Sequence, residues 1–175
     1  MRIYFDHNAT TPVEPSVAEI MSSALISTFG NPSSVHHFGQ QAKKLMDEAR
    51  TAVAELLAAR PSEVVFTSGG TESDNLAIRG VAEVAATTNG RCHLITSAIE
   101  HDAVLKPISQ FEKNGCQITY LPVDEHGMVN PNDITKSISE QTVMVSIMFA
   151  NNEVGTIQPI KEISKICNKY QIPLH

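Results

Sequence analysis

The chain has 175 residues, 42% of them apolar and 18% charged, and 19 acidic side chains against 13 Lys and Arg give a formal charge of −6. That length and balance suit one globular domain, or one domain with a fragment of a second, and exclude a disordered, fibrous or large multidomain chain. No basic face is available for a nucleic-acid backbone or an anionic lipid, and no run reaches the roughly 18 apolar residues of a membrane span, so neither is an expected partner.

The opening Met1-Arg2-Ile3-Tyr4-Phe5-Asp6-His7 lacks the apolar run of an export signal. From Ser16 the residues Val17, Ile20, Met21, Ala24 and Leu25 recur at helical spacing. Ala42, Leu45, Met46, Ala49, Val53, Leu56 and Leu57 do so again, and Gly30-Asn31-Pro32-Ser33-Ser34 makes the loop between the two helices. After Pro61, the β-branched and aromatic residues 64–67 predict a short buried strand, Ser68-Gly69-Gly70 a turn, and Leu76, Ala77, Ile78 and Val81 a helix.

The scheme then repeats. Residues 93–96 predict a strand, 104–113 a helix stopped by Gly115, and Gln117 to Leu121 the next strand. A short helix opens with Pro131 at its first position, where a missing N–H costs nothing. Residues 142–148 are apolar without alternation, which suggests a sheet covered on both faces. Ile160, Ile163, Ile166, Cys167 and Tyr170 stripe a further helix, and residues 172–175 open another strand. Strands alternating with helices predict an α/β fold with a mostly parallel sheet flanked by helices. An apolar strand opening at the last residues predicts that the sheet is incomplete and the sequence a piece of a longer enzyme.

Three cysteines, Cys92, Cys116 and Cys167, are an odd number at wide spacing without a Cys-x-x-Cys, which reads as structural thiols of a reducing compartment, with the cytoplasm as the default location. The chain has no phosphate loop ending in Gly-Lys-Ser/Thr, no Gly-x-Gly-x-x-Gly, no His-Glu-x-x-His and no Gly-x-Ser-x-Gly. No metal site is expected, because the neighbours His36 and His37 point different ways and no cysteine stands at ligand spacing from them.

Chemistry is expected where the predicted strands end. In Thr67-Ser68-Gly69-Gly70-Thr71-Glu72-Ser73-Asp74-Asn75 the glycines turn the backbone so that the first helical N–H groups converge, with hydroxyls beside them, as a phosphate seat requires. The alternative is a plain turn with Thr71 or Ser73 as helix cap. His101, after the 93–96 strand, suits stacking on a flat ring or proton transfer, or else capping. Asn152, after the 142–148 strand, suits a hydrogen bond to a ring substituent, or else a turn.

Together with Asp6-His7-Asn8-Ala9-Thr10-Thr11-Pro12 and Gly30-Asn31-Pro32-Ser33-Ser34, these motifs, including Glu100-His101 and Ser146-Ile147-Met148-Phe149-Ala150-Asn151-Asn152-Glu153-Val154-Gly155, occur in one order. The chain thereby resembles the amino-terminal part of a NifS-type cysteine desulfurase, a class-V member of the fold-type-I pyridoxal-phosphate enzymes. The resemblance implies removal of sulfur from L-cysteine, giving L-alanine and an enzyme persulfide for a sulfur-acceptor or iron–sulfur scaffold protein, in a homodimer carrying pyridoxal 5′-phosphate. It assigns Gly70 and Thr71 to the phosphate turn, His101 to the catalytic histidine over the pyridine ring, and Asn152 to the ring oxygen and substrate carboxylate.

The same resemblance implies that residues 1–15 are an arm of a small domain and residues 16–175 the first part of the large cofactor domain. None of the lysines from Lys43 to Lys169 matches the family's Schiff-base position, and none of the cysteines matches its sulfur acceptor. Both are expected beyond His175, so the chain alone is expected to be inactive. The alternatives are a sister class-V enzyme, such as a selenocysteine lyase or a kynureninase-like protein, and a non-catalytic short partner of a full-length homologue.

Overall fold

The computed structural model describes residues 2–175, which form two compact units, one ending at Phe66 and one spanning Thr67–His175. In the first unit, helix α1 (Pro15–Ser27) starts on a proline whose fixed φ is preset for a helix, and helix α2 (His37–Leu56) is capped by His36, whose Nδ1 accepts the Gly39 N–H at 3.3 Å. The loop between them depends on two glycines. A Cβ on Gly30 would stand 2.1 Å from the Phe38 carbonyl oxygen and one on Gly39 would stand 2.4 Å from that of Ser34, so no side chain fits either close approach.

In this unit one apolar pattern stays outside the core and one expected strand does not form. The apolar stripe of α1 does not form core, for no residue of that helix is buried and Leu25 is 79% exposed. Residues 64–67 are extended but pair with no strand, and Val65 and Phe66 are exposed. Extended backbone needs a ladder neighbour to satisfy its N–H and C=O groups. Here the Arg50 guanidinium serves in its place, donating to the Val64 carbonyl and lying 4.8 Å from the centre of the Phe66 ring.

The second unit runs α3 (Gly70–Asn89), β1 (His93–Ser97), α4 (Asp102–Lys113), β2 (Gln117–Leu121), α5 (Pro131–Ser137), β3 (Thr142–Ser146) and α6 (Ile160–Tyr170). The strands form a parallel sheet in the order β2-β1-β3. The expected fourth strand is present at its start. Val145 donates to the Pro173 carbonyl at 3.0 Å, His175 to Val145 at 2.8 Å and Ile147 to His175 at 2.9 Å, which lays residues 173–175 parallel to β3.

Alternation of side chains through the sheet builds a core on each face. Leu94 and Met144 join Ile78, Ala82, Val104, Ile108 and Phe111 from α3 and α4. Ile95 and Val145 face the other way, onto Ile134 of α5 and Ile163 and Cys167 of α6. Every residue of β1 and β3 is buried, as the unalternated apolar pattern requires. The buried His93 ties the three strands together, with Nδ1 2.8 Å from Thr142 Oγ1 and Nε2 2.9 Å from Thr119 Oγ1, and burial holds its imidazole below the usual histidine range.

The cysteine reading needs correction. Cys92 and Cys116 are joined in a disulfide across a Cα–Cα distance of 4.9 Å. They stand just before β1 and β2, whose register pairs His93 with Gln117, so the parallel ladder makes neighbours of residues far apart in sequence. Cys167 is a free, buried thiol that burial pushes up. Among the described residues no helix is long and apolar enough to cross a membrane, and no group of His, Cys, Asp and Glu could hold a metal ion.

Candidate functional site

The carboxyl ends of β1 and β3 open into a recess of about 420 Å³ lined by Asp74, Glu100, His101, Ser146, Phe149 and His175, among others. A second recess, of about 320 Å³, holds Thr71, Asn75, Arg79 and Lys106, and His101 belongs to both. His101 therefore stands at the divide, where the turn leaving β1 becomes α4. Its Nδ1 accepts the Ala103 N–H at 3.1 Å, which caps the helix and leaves the neutral ring's proton on Nε2. The capping alternative thus describes one nitrogen of the ring and fixes the orientation of the rest.

The start of α3 supplies the next part. Neither glycine there is demanded by the protein itself: Gly69 has an extended φ of 163°, and among the described residues, adjoining backbone apart, nothing lies within 4 Å of a Cβ built on Gly69 or Gly70. The space is free for something else. The first intrahelical bond is donated by Ser73, to the Gly69 carbonyl at 3.1 Å, so the N–H groups of Gly70, Thr71 and Glu72 precede the ladder. Glu72, a possible obstacle to an anion, has its Oε2 engaged by the Ser68 N–H at 2.7 Å and the Ser68 hydroxyl at 2.6 Å, and these bonds hold its carboxyl below the usual range.

Ser73 is likewise taken, with Oγ 2.6 Å from Thr67 Oγ1. The Thr71 hydroxyl has no hydrogen-bond partner among the described residues and shares its recess with Arg79 and with Lys106, whose Nζ is paired with Asp102 Oδ2 at 2.7 Å in the same recess. Arg79 is oriented by Asn75 Oδ1 at 3.1 Å, and Asn75 Nδ2 donates in turn to the Thr71 carbonyl at 2.9 Å.

Glu100, which the Glu100-His101 motif contains without a role, is the buried charged group of this end. It is 7% exposed, and its Oε1 accepts the Ser97 hydroxyl at 2.7 Å and the Met148 N–H at 2.9 Å. Burial pushes its carboxyl above the usual range, outweighing those two bonds and the nearby His175, while Asp74 adds to the upward push. His175 completes the floor, with Nδ1 2.9 Å from Ser146 Oγ and Nε2 3.5 Å from Asp74 Oδ1.

Gly70, Thr71 and His101 therefore come to one end of the sheet, and Asn152 does not join them. Its side chain is exposed, reaches only Glu153 Oε1, at 3.5 Å, among the described residues, and lines neither recess. The preceding Asn151 is the buried one: its Nδ2 donates to the Ile99 carbonyl at 3.1 Å, and its Oδ1 accepts the N–H groups of Glu153 and Val154, each at 2.9 Å. The available signal for both residues was a polar side chain in the loop that leaves a buried strand, where burial without a partner is costly.

A parallel sheet clad in helices, with polar groups gathered where the strands end, defines a ligand-binding portion of an open α/β enzyme. The family of class-V aminotransferases matches this chain over residues 3–175, and the chain belongs to that family. It is 51% identical over 173 residues to the cysteine desulfurase IscS of Dictyoglomus turgidum and 49% identical over 173 residues to that of Methanosarcina thermophila. Each alignment takes in 99% of this chain but only 43% and 42% of the relative, so the chain spans less than half the length of the curated relatives it matches.

Solved structures agree. A NifS-like protein superposes with a TM-score of 0.95 at 42% identity, covering all of this chain and 48% of that one. DndA from Streptomyces lividans gives 0.86 at 38% identity, covering 99% and 48%. The NifS-type resemblance and the α/β fold drawn from the motifs are upheld.

Proposed function

We propose that the chain is the phosphate- and ring-binding part of a cysteine desulfurase that uses pyridoxal 5′-phosphate, removes sulfur from L-cysteine to leave L-alanine, and hands a persulfide to an acceptor or iron–sulfur scaffold protein. One observation carries the reading: His101 is oriented by its cap at the meeting of two recesses, one of them holding Thr71 beside the open start of α3. The residues fit the cofactor. Space beside two glycines, early helical N–H groups, an untied hydroxyl and the Arg79 guanidinium suit a phosphate, and a fixed imidazole suits the face of a pyridine ring.

When bound, pyridoxal phosphate supplies the electron sink that makes the amino acid's Cα proton removable. Gly70 and Thr71 hold the phosphate through backbone N–H and hydroxyl groups. His101 would pack its ring on the pyridine and, with Nδ1 occupied by the Ala103 N–H and its proton on Nε2, would donate that proton at Nε2. Asn152 meets the ring oxygen and the substrate carboxylate on the strength of the family resemblance. The arm over residues 1–15, the cofactor-domain portion over residues 16–175, the homodimer and the cytoplasmic location belong to the same proposal. By itself the chain is expected to release no alanine from cysteine, because its lysines and cysteines match neither the Schiff-base nor the persulfide position.

Binding of pyridoxamine 5′-phosphate, which has no aldehyde to react with surface lysines, tests the site by fluorescence titration. Thr71→Ala and His101→Ala should each weaken binding by about tenfold, and the pair by more. Undiminished binding by the double variant overturns the assignment.

A further inference from the structure

The residue before His101 and the residue before Asn152 are both buried at 7% exposure, and each reaches across to the other's loop. Glu100, in the turn leaving β1, accepts the backbone N–H of Met148; Asn151, in the loop leaving β3, donates to the backbone carbonyl of Ile99. The two bonds run in opposite directions between the same two loops, at 2.9 Å and 3.1 Å. Each side chain also braces its own loop, Glu100 through the Ser97 hydroxyl and Asn151 through the N–H groups of Glu153 and Val154.

We propose that Glu100 and Asn151 form a reciprocal clamp, a pair of positioning residues that sets the distance and angle between the His101 turn and the Asn152 loop. The inference rests on the reading of His101 and Asn152 given above, although the clamp itself is a property of the free chain. Parallel strands β1 and β3 fix the loops only where they leave the sheet, and neither loop hydrogen-bonds the other through regular ladder bonds once the strands have ended. The clamp extends the register of the sheet outward by side chains. It also explains why a carboxylate is tolerated under the recess: its Oε1 takes two donors, one of them a backbone N–H that burial would otherwise leave unpaired. Asp74, His101 and His175 share one recess with Glu100, and Glu125, His126 and Glu153 share another with Glu100 and Asn151; among these titratable groups Glu100 is the one that bridges the two loops.

The test uses the 175-residue chain and substitutions chosen to separate charge from hydrogen bonding. Glu100→Gln keeps an acceptor oxygen for Ser97 and Met148, whereas Glu100→Ala removes it. Asn151→Asp keeps the oxygen for Glu153 and Val154 but loses the donor to Ile99. Two readouts are taken: amide exchange and chemical shifts at Met148, at residues 151–154 and at the His101 ring, and the affinity for pyridoxamine 5′-phosphate per folded molecule.

Glu100→Ala and Asn151→Asp should each speed Met148 or loop exchange by at least about tenfold and move the His101 ring resonances, and Glu100→Gln should restore both. Unmoved His101 resonances in Asn151→Asp, or a Glu100→Gln chain as perturbed as Glu100→Ala, overturn the clamp. Should Glu100→Ala not fold, those two variants decide alone. If the wild-type chain does not bind pyridoxamine phosphate, the cofactor reading fails while exchange and shifts still judge the clamp. If it binds and the variants lose affinity without any shift at His101 or residues 151–154, the clamp fails and the cofactor reading stands.

Discussion

Ser146 Oγ lies 2.9 Å from Nδ1 of His175, tying the last residue of β3 to the parallel segment that follows α6. The bond sits beside two backbone bonds of the same pairing, His175 to Val145 and Ile147 to His175, so it reinforces the pairing of residues 173–175 with β3. Ser146→Ala is expected to cost about 1 kcal/mol in urea unfolding and to speed amide exchange at Ile147. Asp74→Asn, which touches only the longer contact at 3.5 Å, should cost less. Equal exchange at Ile147 in wild type and Ser146→Ala would contradict the role given to the hydroxyl.

Glu100 makes a prediction about pH. Its carboxyl is raised in the folded chain, so the folded state holds the proton over a range where the unfolded state has lost it. Stability therefore falls as pH climbs from the ordinary carboxylate value through the raised one, and the contribution is recovered on acidification. Glu100→Gln removes that component while keeping the acceptor. In a series of melts from acidic to neutral pH, the difference between variant and wild type should move in the variant's favour as pH rises. A difference that stays flat would mean that the carboxylate is already compensated.

Much of this architecture was legible in the chain because its cues are local. Pro131 marks the first position of α5, Gln117 to Leu121 form β2 as the pattern predicts, and the unbroken apolar run of residues 142–148 contains a strand buried on both faces. What the pattern concealed depends on partners distant in sequence. Residues 64–67 have the composition of a strand, but a strand exists only with a neighbour, and Arg50 takes that place. Glu100 and Asn151 meet backbone groups 48 and 52 residues away, contacts that no local pattern encodes, whereas the ligand chemistry of their neighbours His101 and Asn152 is visible from residue type alone. For Asn152 the consequence is concrete: the buried and bonded residue is the one before it.

The Cys92–Cys116 bond spans 24 residues of sequence, enclosing β1 and α4 with His101 between them. Closing a loop of that size in the unfolded chain is worth about 3 kcal/mol on the chain-entropy account. Urea unfolding with and without a phosphine reductant should show a loss approaching that size. Cys92→Ser combined with Cys116→Ser should reproduce the loss and remove the sensitivity to reductant. A midpoint that ignores the reductant in the wild-type chain would mean that the thiols do not pair in solution.

Two apolar truncations separate a stripe that is packed from one that is not. Ile163, on α6, is fully buried against Ile134 and Val145 at the face of the sheet, whereas Leu25, on α1, is 79% exposed. Both lie among apolar residues that recur at helical spacing. Ile163→Ala removes buried methyl groups and leaves a cavity, which should cost about 3 kcal/mol. Leu25→Ala removes atoms already in water and replaces them with a better helix former, so its cost should lie within about 0.5 kcal/mol of zero. The comparison is made by urea unfolding of the two variants in the 175-residue chain. A Leu25→Ala cost approaching that of Ile163→Ala would show that α1 is covered in solution and that its stripe is core after all.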